Sequence, residues 1–351
     1  MSIPNHAQEA QDRYFMMLAI QQAKQGLYTT RPNPAVGCVI VRAESVVGQG
    51  FHPKAGQPHA EVFALQDAGA SAVGGTAYVT LEPCSHTGRT PPCALGLIDA
   101  GIKRVVIAGL DPNPQVAGRG VKLLEDAGIE VTVGILTDQA EALNRGFLKA
   151  MRTQMPYVRL KIATSLDGRT AMASGESKWI TSAQAREDVQ KLRALSGAII
   201  TGSETIIADD PQLNVRSTQL CVSADQVPTP KVVVLDRRQR LQYDPKSNYQ
   251  LCRQSEVLYW REDDLVKLLK RLVSDHQCYD VLVEAGAGVA GSFLKQQLVD
   301  ELIVYQAPCL LGIKARPMVE FSPLSLAQQL RLDICAHEKI GPDLKLTLQP
   351  L

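Results

Sequence analysis

The sequence predicts two α/β domains in tandem, and three observations carry that reading. At 351 residues the chain exceeds what a single hydrophobic core usually serves. Apolar runs of strand length alternate with segments of helical periodicity through both halves. A short polar break, Thr153 to Pro156, separates the two series, so the boundary is expected near residue 152, with domains at 1–151 and 152–351.

In the first half, Tyr14, Phe15, Leu18, Ala19 and Ala23 recur at helical spacing. Val36 to Val41 reads as a buried strand, His59 to Asp67 as a helix, and Val79 to Leu81 as the end of a strand. Val105 to Ala108, Val121 to Ala127 and Ile129 to Val133 continue as strand, helix and strand, and Glu141 to Met151 as a closing helix.

The pattern restarts with strand Tyr157 to Ala163, helix Ala183 to Leu195, and strands Ala198 to Thr201 and Val232 to Leu235. Strand Val257 to Tyr259, helix Asp263 to Val273, strand Asp280 to Val283 and a helix around Ser292 to Gln297 follow. Strands that are apolar throughout and separated by helices predict a second, mostly parallel sheet. Val215 to Pro230 is polar and reads as a surface insertion.

Composition narrows the function. Lys plus Arg (37) nearly cancels Asp plus Glu (36), so no global field draws the chain to nucleic acid or an anionic membrane, and any phosphate must be held by local groups. No apolar run approaches the roughly 18–20 residues of a membrane span, and the polar start lacks a secretory pattern, so a cytoplasmic enzyme with no membrane and no nucleic-acid partner is expected. Eight cysteines are too sparse for a disulfide scaffold. Cys38, Cys221, Cys252, Cys278, Cys309 and Cys335 have no repeating spacing and are read as reduced structural thiols.

The other two cysteines carry chemistry. His59 opens a helix, Cys84 follows a strand behind Pro83, and Cys93 lies nine positions further on. One imidazole and two thiolates are three zinc ligands that leave a tetrahedral corner for water, as a catalytic zinc site requires. Zinc brings the pKa of that water toward neutrality, so hydroxide can attack a ring carbon bearing an exocyclic amine. Ammonia leaves only when protonated, and Glu61, two residues after His59, can move protons without binding the metal. This is the pattern of a zinc-dependent hydrolytic deaminase, although the Cys84 to Cys93 spacing is longer than the Cys-x-x-Cys usual in that class. His52 and His86 either orient substrate from loops or face solvent.

With these residues in place, the sequence resembles the bifunctional riboflavin-biosynthesis deaminase and reductase family. In the first half the resemblance rests on Asn33-Pro34-Ala35-Val36-Gly37, Gly50-Phe51-His52, His59-Ala60-Glu61, and the run from Glu82-Pro83-Cys84 through His86 and Arg89 to Cys93. In the second it rests on the run from Leu160-Lys161-Ile162 to Asp167-Gly168-Arg169 and on Ser177-Lys178-Trp179-Ile180-Thr181. The longer cysteine spacing is that family's own. The resemblance implies a cytidine-deaminase-like three-layer α/β/α domain followed by a dihydrofolate-reductase-like α/β domain. It also implies hydrolytic deamination of 2,5-diamino-6-(5-phosphoribosylamino)pyrimidin-4(3H)-one, then NADPH-dependent reduction of the ribosyl group to give 5-amino-6-(5-phosphoribitylamino)uracil. Zinc, NADPH, phosphorylated pyrimidine substrates and a homodimer or larger homo-oligomer come with it, and Asn33 and His52 are expected to hold the pyrimidine.

Glu284-Ala285-Gly286-Ala287-Gly288-Val289-Ala290-Gly291 follows a strand and precedes a helix, a setting in which glycines let backbone N–H groups approach a diphosphate. Its spacing fits a dinucleotide fingerprint, but it lies more than 100 residues into its domain, whereas a Rossmann fingerprint follows the first strand. By resemblance Ala163, Trp179, Thr205, Asp209 and Asp236 contact NADPH; a core role is the ordinary alternative for Trp179. Arg193 and Arg216 can fork onto a phosphate, with Ser177 and the backbone near Leu213 completing the pocket. Lys161 and Glu284 are implied at the sugar, with the final proton donor open. Asp167 is read as fixing a turn. Arg237 and Arg238 are candidates for the NADPH 2′-phosphate, while Asp236 could bind ribose hydroxyls. Two rivals remain at this point: a zinc deaminase of another base or nucleotide joined to a noncatalytic domain, and a zinc-stabilised scaffold without turnover.

Overall fold

The computed structural model describes residues 6–85, 92–113 and 117–351, and the chain divides into compact units at 1–153 and 154–351. His86 and Arg89 lie outside the described residues. In the first unit the order is α1 (His6–Gln25), β1 (Gly37–Arg42), β2 (Ser45–Phe51), α2 (Ala60–Ala68), β3 (Thr76–Val79), α3 (Cys93–Asp99), β4 (Arg104–Ile107), α4 (Arg119–Asp126), β5 (Glu130–Val133), α5 (Thr137–Glu141) and α6 (Arg145–Thr153). The sheet runs β2-β1-β3-β4-β5, antiparallel across β2, β1 and β3 and parallel from β3 to β5.

Alternate residues of β1 serve opposite cores. Cys38 and Ile40 pack under α2 and α3, and Val39 and Val41 pack under α1 with Phe15, Met16 and Ile20, so the unit has three layers. The buried stripe of α1 is Phe15, Met16, Ala19, Ile20 and Ala23, while Tyr14, expected on it, is 55% exposed. One helix was expected over Glu141 to Met151, but it is broken between α5 and α6. There the Asn144 side chain pairs with both backbone groups of Ala35, Oδ1 accepting at 2.7 Å and Nδ2 donating at 2.9 Å. Helix α6 then runs past the expected boundary to Thr153.

Helix α2 rests on β2 through a seam of small residues. Ala60, Ala64 and Ala68 recur every fourth position and are buried. A Cβ on Gly48 would lie 2.3 Å from the Ala64 carbonyl oxygen, and one on Gly50 would lie 2.6 Å from that of Ala60. Only glycine allows this approach.

The second unit contains β6 (Tyr157–Ser165), β7 (Arg169–Ala171), α7 (Ala183–Leu195), β8 (Ala198–Gly202), α8 (Ser203–Asp209), β9 (Lys231–Leu235), β10 (Leu258–Trp260), α9 (Leu265–Ser274), β11 (Asp280–Glu284), α10 (Ala287–Lys295), β12 (Glu301–Ala307), β13 (Arg316–Pro317), β14 (Leu332–Ile340) and β15 (Asp343–Pro350). Its main sheet runs β10-β9-β8-β11-β6-β12-β15-β14, with parallel pairing from β10 to β12 and an antiparallel β15 and β14 closing one side. Helices α9 and α10 cover one face, and α7 and α8 the other. This is the dihydrofolate-reductase-like α/β architecture. Strands β2, β12, β14 and β15 were not expected, and α10 begins at Ala287, five residues before the expected start. Val215 to Pro230 forms no strand.

The cysteines are all free; Cys38, Cys252 and Cys278 are buried, whereas Cys221 and Cys335 are exposed, against the structural reading of those two. Substituting Gly50→Ala should force α2 away from β2 and cost about 1–3 kcal/mol, the usual penalty for overpacking. Denaturant unfolding of the purified chain measures it, and a wild-type midpoint would remove the seam's importance.

Candidate functional site

The small-residue seam holds α2 close against β2 from its first residue, Ala60, onward. His59 is its N-cap residue, with extended φ and ψ and no capping hydrogen bond from its side chain, so the imidazole is free for other work. Cys84 lies in the turn beyond β3, and Cys93 is the first residue of α3. Their ligand atoms all lie within 4.8 Å of one another, a cluster able to hold a metal ion. His59 Nδ1 is 3.2 Å from Cys93 Sγ and 3.6 Å from Cys84 Sγ. The edges of a zinc tetrahedron with these ligands are roughly 3.5–3.8 Å, so the donors need little rearrangement to close on an ion.

The protonation pattern suits a cation. Hydrogen bonding from the Cys93 thiol, aided by His59, pulls the Cys84 pKa down to about 4, and the same contact pushes that of Cys93 upward. Cys93 would therefore release its proton on metal binding. Glu61 stands in the first turn of α2, 3% exposed, and burial pushes its pKa up to about 7. Its Oε2 is buried without a hydrogen-bond partner. A carboxyl of that pKa can both take and return a proton near neutrality.

His52 is buried beside His59, their ring centroids 5.4 Å apart. Its Nδ1 donates to the Pro58 carbonyl at 3.0 Å and its Nε2 accepts from Asn33 Nδ2 at 3.0 Å. Burial lowers its pKa, in keeping with that neutral tautomer. Both ring nitrogens are thus occupied by the protein, and Asn33 is the amide that His52 holds in place. Asn144, pinning Ala35, fixes the same stretch from the other side.

In the second unit, β6 and β11 pair in register with Lys161 opposite Glu284. Arg193 of α7 reaches the same face: its Nε and NH2 donate to Glu284 Oε1 and Oε2 at 2.6 and 3.0 Å, and its NH1 donates to the Asn214 carbonyl at 3.2 Å. Burial disfavours the Glu284 carboxylate, but Arg193 overcomes it and the pKa falls. Burial also lowers that of Lys161. Arg216 donates to Asn214 Oδ1 at 2.8 Å; burial, then repulsion from Arg193, lowers its pKa. Lys161, Arg193 and Arg216 thus stand against two carboxylates, Glu284 and Glu187, leaving a surplus of basic groups for an anion.

Ser177 Oγ donates to Asp209 Oδ1 at 3.0 Å, which joins two expected contacts at the end of α8; Thr205 stands one turn earlier. Leu213 is buried with φ +48°, a left-handed backbone uncommon for leucine and met at ligand clamps. Trp179 is 67% exposed with the Arg186 guanidinium stacked over it at 4.3 Å, so it is not a core residue. Asp236 is buried, one oxygen accepting from Leu241 N at 2.8 Å and the other accepting no hydrogen bond, with Arg240 Nε 4.0 Å away. Arg237 and Arg238 pair with Asp263 and Glu204. Ala163 follows Lys161 on β6. Gly286 caps α10 with open space where its Cβ would be, Gly288 faces the Glu320 carboxylate, and Gly291 lies against the Glu320 backbone, where a Cβ would come within 2.1 Å of the carbonyl oxygen. The close approach at Gly291 is therefore to protein. Asp167 accepts from Ser165 Oγ, Leu311 N and Gly312 N, holding two loops together.

Sequence reasoning gave no role to Glu82 or Asn144. Their signal is a polar residue in a run otherwise bound for the core.

Residues 9–109 match the cytidine and deoxycytidylate deaminase zinc-binding region, and residues 156–346 match the RibD C-terminal domain. The chain is 50% identical to the riboflavin biosynthesis protein RibD of Haemophilus influenzae, over 97% of this chain and 98% of that one. It is 48% identical to RibD of Escherichia coli, over 96% and 99%. Among solved structures, Acinetobacter baumannii RibD superposes with a TM-score of 0.92 at 54% identity, covering 98% of this chain and 99% of that one. The Thermotoga maritima diaminohydroxyphosphoribosylaminopyrimidine deaminase/5-amino-6-(5-phosphoribosylamino)uracil reductase gives 0.86 at 31%, covering 98% and 100%. With a metal-ready His59, Cys84 and Cys93 cluster in one unit, a charged reductase-type sheet face in the other, and this likeness along nearly its whole length, the chain belongs to the RibD family of riboflavin-biosynthesis proteins.

Proposed function

We propose that the first unit hydrolyses the 2-amino group of 2,5-diamino-6-(5-phosphoribosylamino)pyrimidin-4(3H)-one and that the second reduces the ribosyl group of the product, with NADPH, to give 5-amino-6-(5-phosphoribitylamino)uracil. The observation that carries the first step is the three-donor cluster beside Glu61, whose buried Oε2 lacks a partner. A soft donor set of one imidazole and two thiols fits zinc, held by His59, Cys84 and Cys93. When bound, zinc supplies the acidity that makes water a nucleophile at neutral pH. Glu61 would take one proton from the attacking water and pass it to the ring nitrogen, then carry the second from the newly formed hydroxyl to the departing amine, which leaves as ammonia. Asn33, aimed by His52, hydrogen-bonds the pyrimidine edge.

For the second step, the Asp236 oxygen that accepts no hydrogen bond fits a ribose hydroxyl, and the open backbone at Gly286, which caps the start of α10, fits a diphosphate. Ala163, Trp179, Thr205 and Asp209 complete that reading of the cofactor site. NADPH, when bound, supplies the hydride. Lys161 hydrogen-bonds the sugar oxygen and delivers a proton to it, and Glu284, held by Arg193, orients the hydroxyls. The phosphate falls to Arg216, Ser177 and the Leu213 backbone. Arg193 spends its fork on Glu284 and contributes charge to that pocket.

Incubating the chain with the diaminopyrimidine ribotide, zinc and NADPH should release ammonia and then consume NADPH; ammonia without NADPH oxidation would discard the reductase reading. Glu61→Gln should cut ammonia release by roughly 10²–10⁴-fold, the usual share of general acid–base catalysis, while zinc content stays at the wild-type value. Loss of the metal together with activity would instead make Glu61 a structural group. Arg216→Ala should raise KM for the phosphorylated reductase substrate by roughly tenfold to a hundredfold and leave deamination unchanged, since hydrogen bonds to charged groups contribute about 1.5–3 kcal/mol. Equal damage to both activities would contradict separate sites.

A further inference from the structure

We propose that Glu82 is a positioning residue of the metal centre: its carboxylate locks the start of α4 and the backbone at Asp111 onto the turn that carries Cys84. Glu82 lies two residues before that ligand and is 5% exposed. Its Oε2 accepts from the backbone N–H groups of Asp111 and Gly118 at 3.2 and 3.0 Å, and its Oε1 from those of Gly120 and Val121 at 2.9 and 3.3 Å. Among the described residues no cation pairs with it. The charge is met by four N–H dipoles, three of them at a helix N-terminus, where a carboxylate is favoured.

Stabilising α4 would not by itself require this arrangement. An N-cap serine or aspartate within the helix's own sequence would serve the Gly120 or Val121 N–H groups, the donors that belong to the helix start. Instead the cap position is Gly118, in a left-handed conformation with φ +74° and no side chain to contribute, and the acceptor comes from the metal-bearing turn. The contact is also steric: a Cβ on Gly120 would lie 2.1 Å from the Pro83 carbonyl oxygen, so helix and turn touch at the residue before Cys84. The Glu82 N–H donates to the Gly109 carbonyl at 3.0 Å, tying the same turn to the end of β4. Cys84 itself meets α3 through Cys93 N to Sγ at 3.3 Å and Ala94 N to its carbonyl at 3.2 Å. The segment that carries Cys84 is thus held at two helix starts, α3 through Cys84 itself and α4 through Glu82 and Pro83. Residues that orient a metal ligand from behind typically contribute 10–100-fold in affinity or activity.

The inference rests on the zinc reading above, and the test separates the two. Full-length protein loaded with zinc is mixed with excess chromogenic chelator, and zinc release is timed for wild type, Glu82→Gln and Gly120→Ala, with circular dichroism confirming folded protein. Gln keeps the length of Glu but turns an NH2 toward donors. Alanine at 120 wedges helix from turn while leaving the carboxylate intact. Both variants should release zinc roughly tenfold to a hundredfold faster than wild type. Wild-type release rates with only a lowered unfolding midpoint would make Glu82 a cap for α4 and overturn the proposal. If Glu82→Gln does not fold, Gly120→Ala decides by the same criterion. A wild-type chain without stoichiometric zinc would remove the zinc reading itself, and this inference with it.

Discussion

Helix α2 can lie against β2 only because neither surface carries bulk where they meet. Ala60, Ala64 and Ala68 face Gly48 and Gly50, and the carbonyl oxygens of Ala60 and Ala64 come closer than any Cβ would allow. Interiors are packed densely enough that one methyl group in such a seam has to be accommodated by moving the helix. The consequence is chemical. His59 ends the approach to α2 and Glu61 opens its first turn, so the seam sets where an imidazole and a carboxyl stand relative to Cys84 and Cys93, which arrive from β3 and α3. The metal cluster is assembled from three elements and depends on the spacing of all three.

Burial then gives those groups their character. In water Glu61 would be an ordinary ionised carboxylate and the cysteines ordinary thiols. Inside the unit, desolvation raises Glu61 to about 7 and a shared proton separates Cys84 from Cys93. The second unit uses the complementary device. There Arg193 keeps Glu284 ionised in spite of burial, and parallel register sets Lys161 beside it. One site is poised by removing water, the other by pairing charge.

Much of the fold was legible because burial writes itself into periodicity. Helix α7 occupies the predicted Ala183 to Leu195, and strands β1, β6, β8, β9 and β11 fall within a residue or two of their apolar runs. Strand β14 was not, since it is exposed along most of its length and Asp333, His337, Glu338 and Lys339 interrupt any alternation. Glycines at 288 and 291 obscured the start of α10 because they weaken helical propensity; Gly291 is there for contact with the Glu320 backbone. The break at Asn144 was hidden because its cause, Ala35, lies over 100 residues away.

The sequence by itself determined the two-domain α/β organisation, the donor types His59, Cys84 and Cys93, and the presence of a carboxyl, Glu61, two residues after the first of them. Those follow from residue chemistry and local spacing, which need no coordinates. Tertiary structure alone decided which polar groups are already engaged: His52 is spent on Pro58 and Asn33, Arg193 on Glu284 and Asn214, and Glu82 on α4, while Asp236 and Glu61 each keep a buried oxygen that accepts no hydrogen bond. A side chain's remaining hydrogen-bonding capacity depends on neighbours brought together by folding across tens to more than a hundred residues of chain, and no local pattern records it.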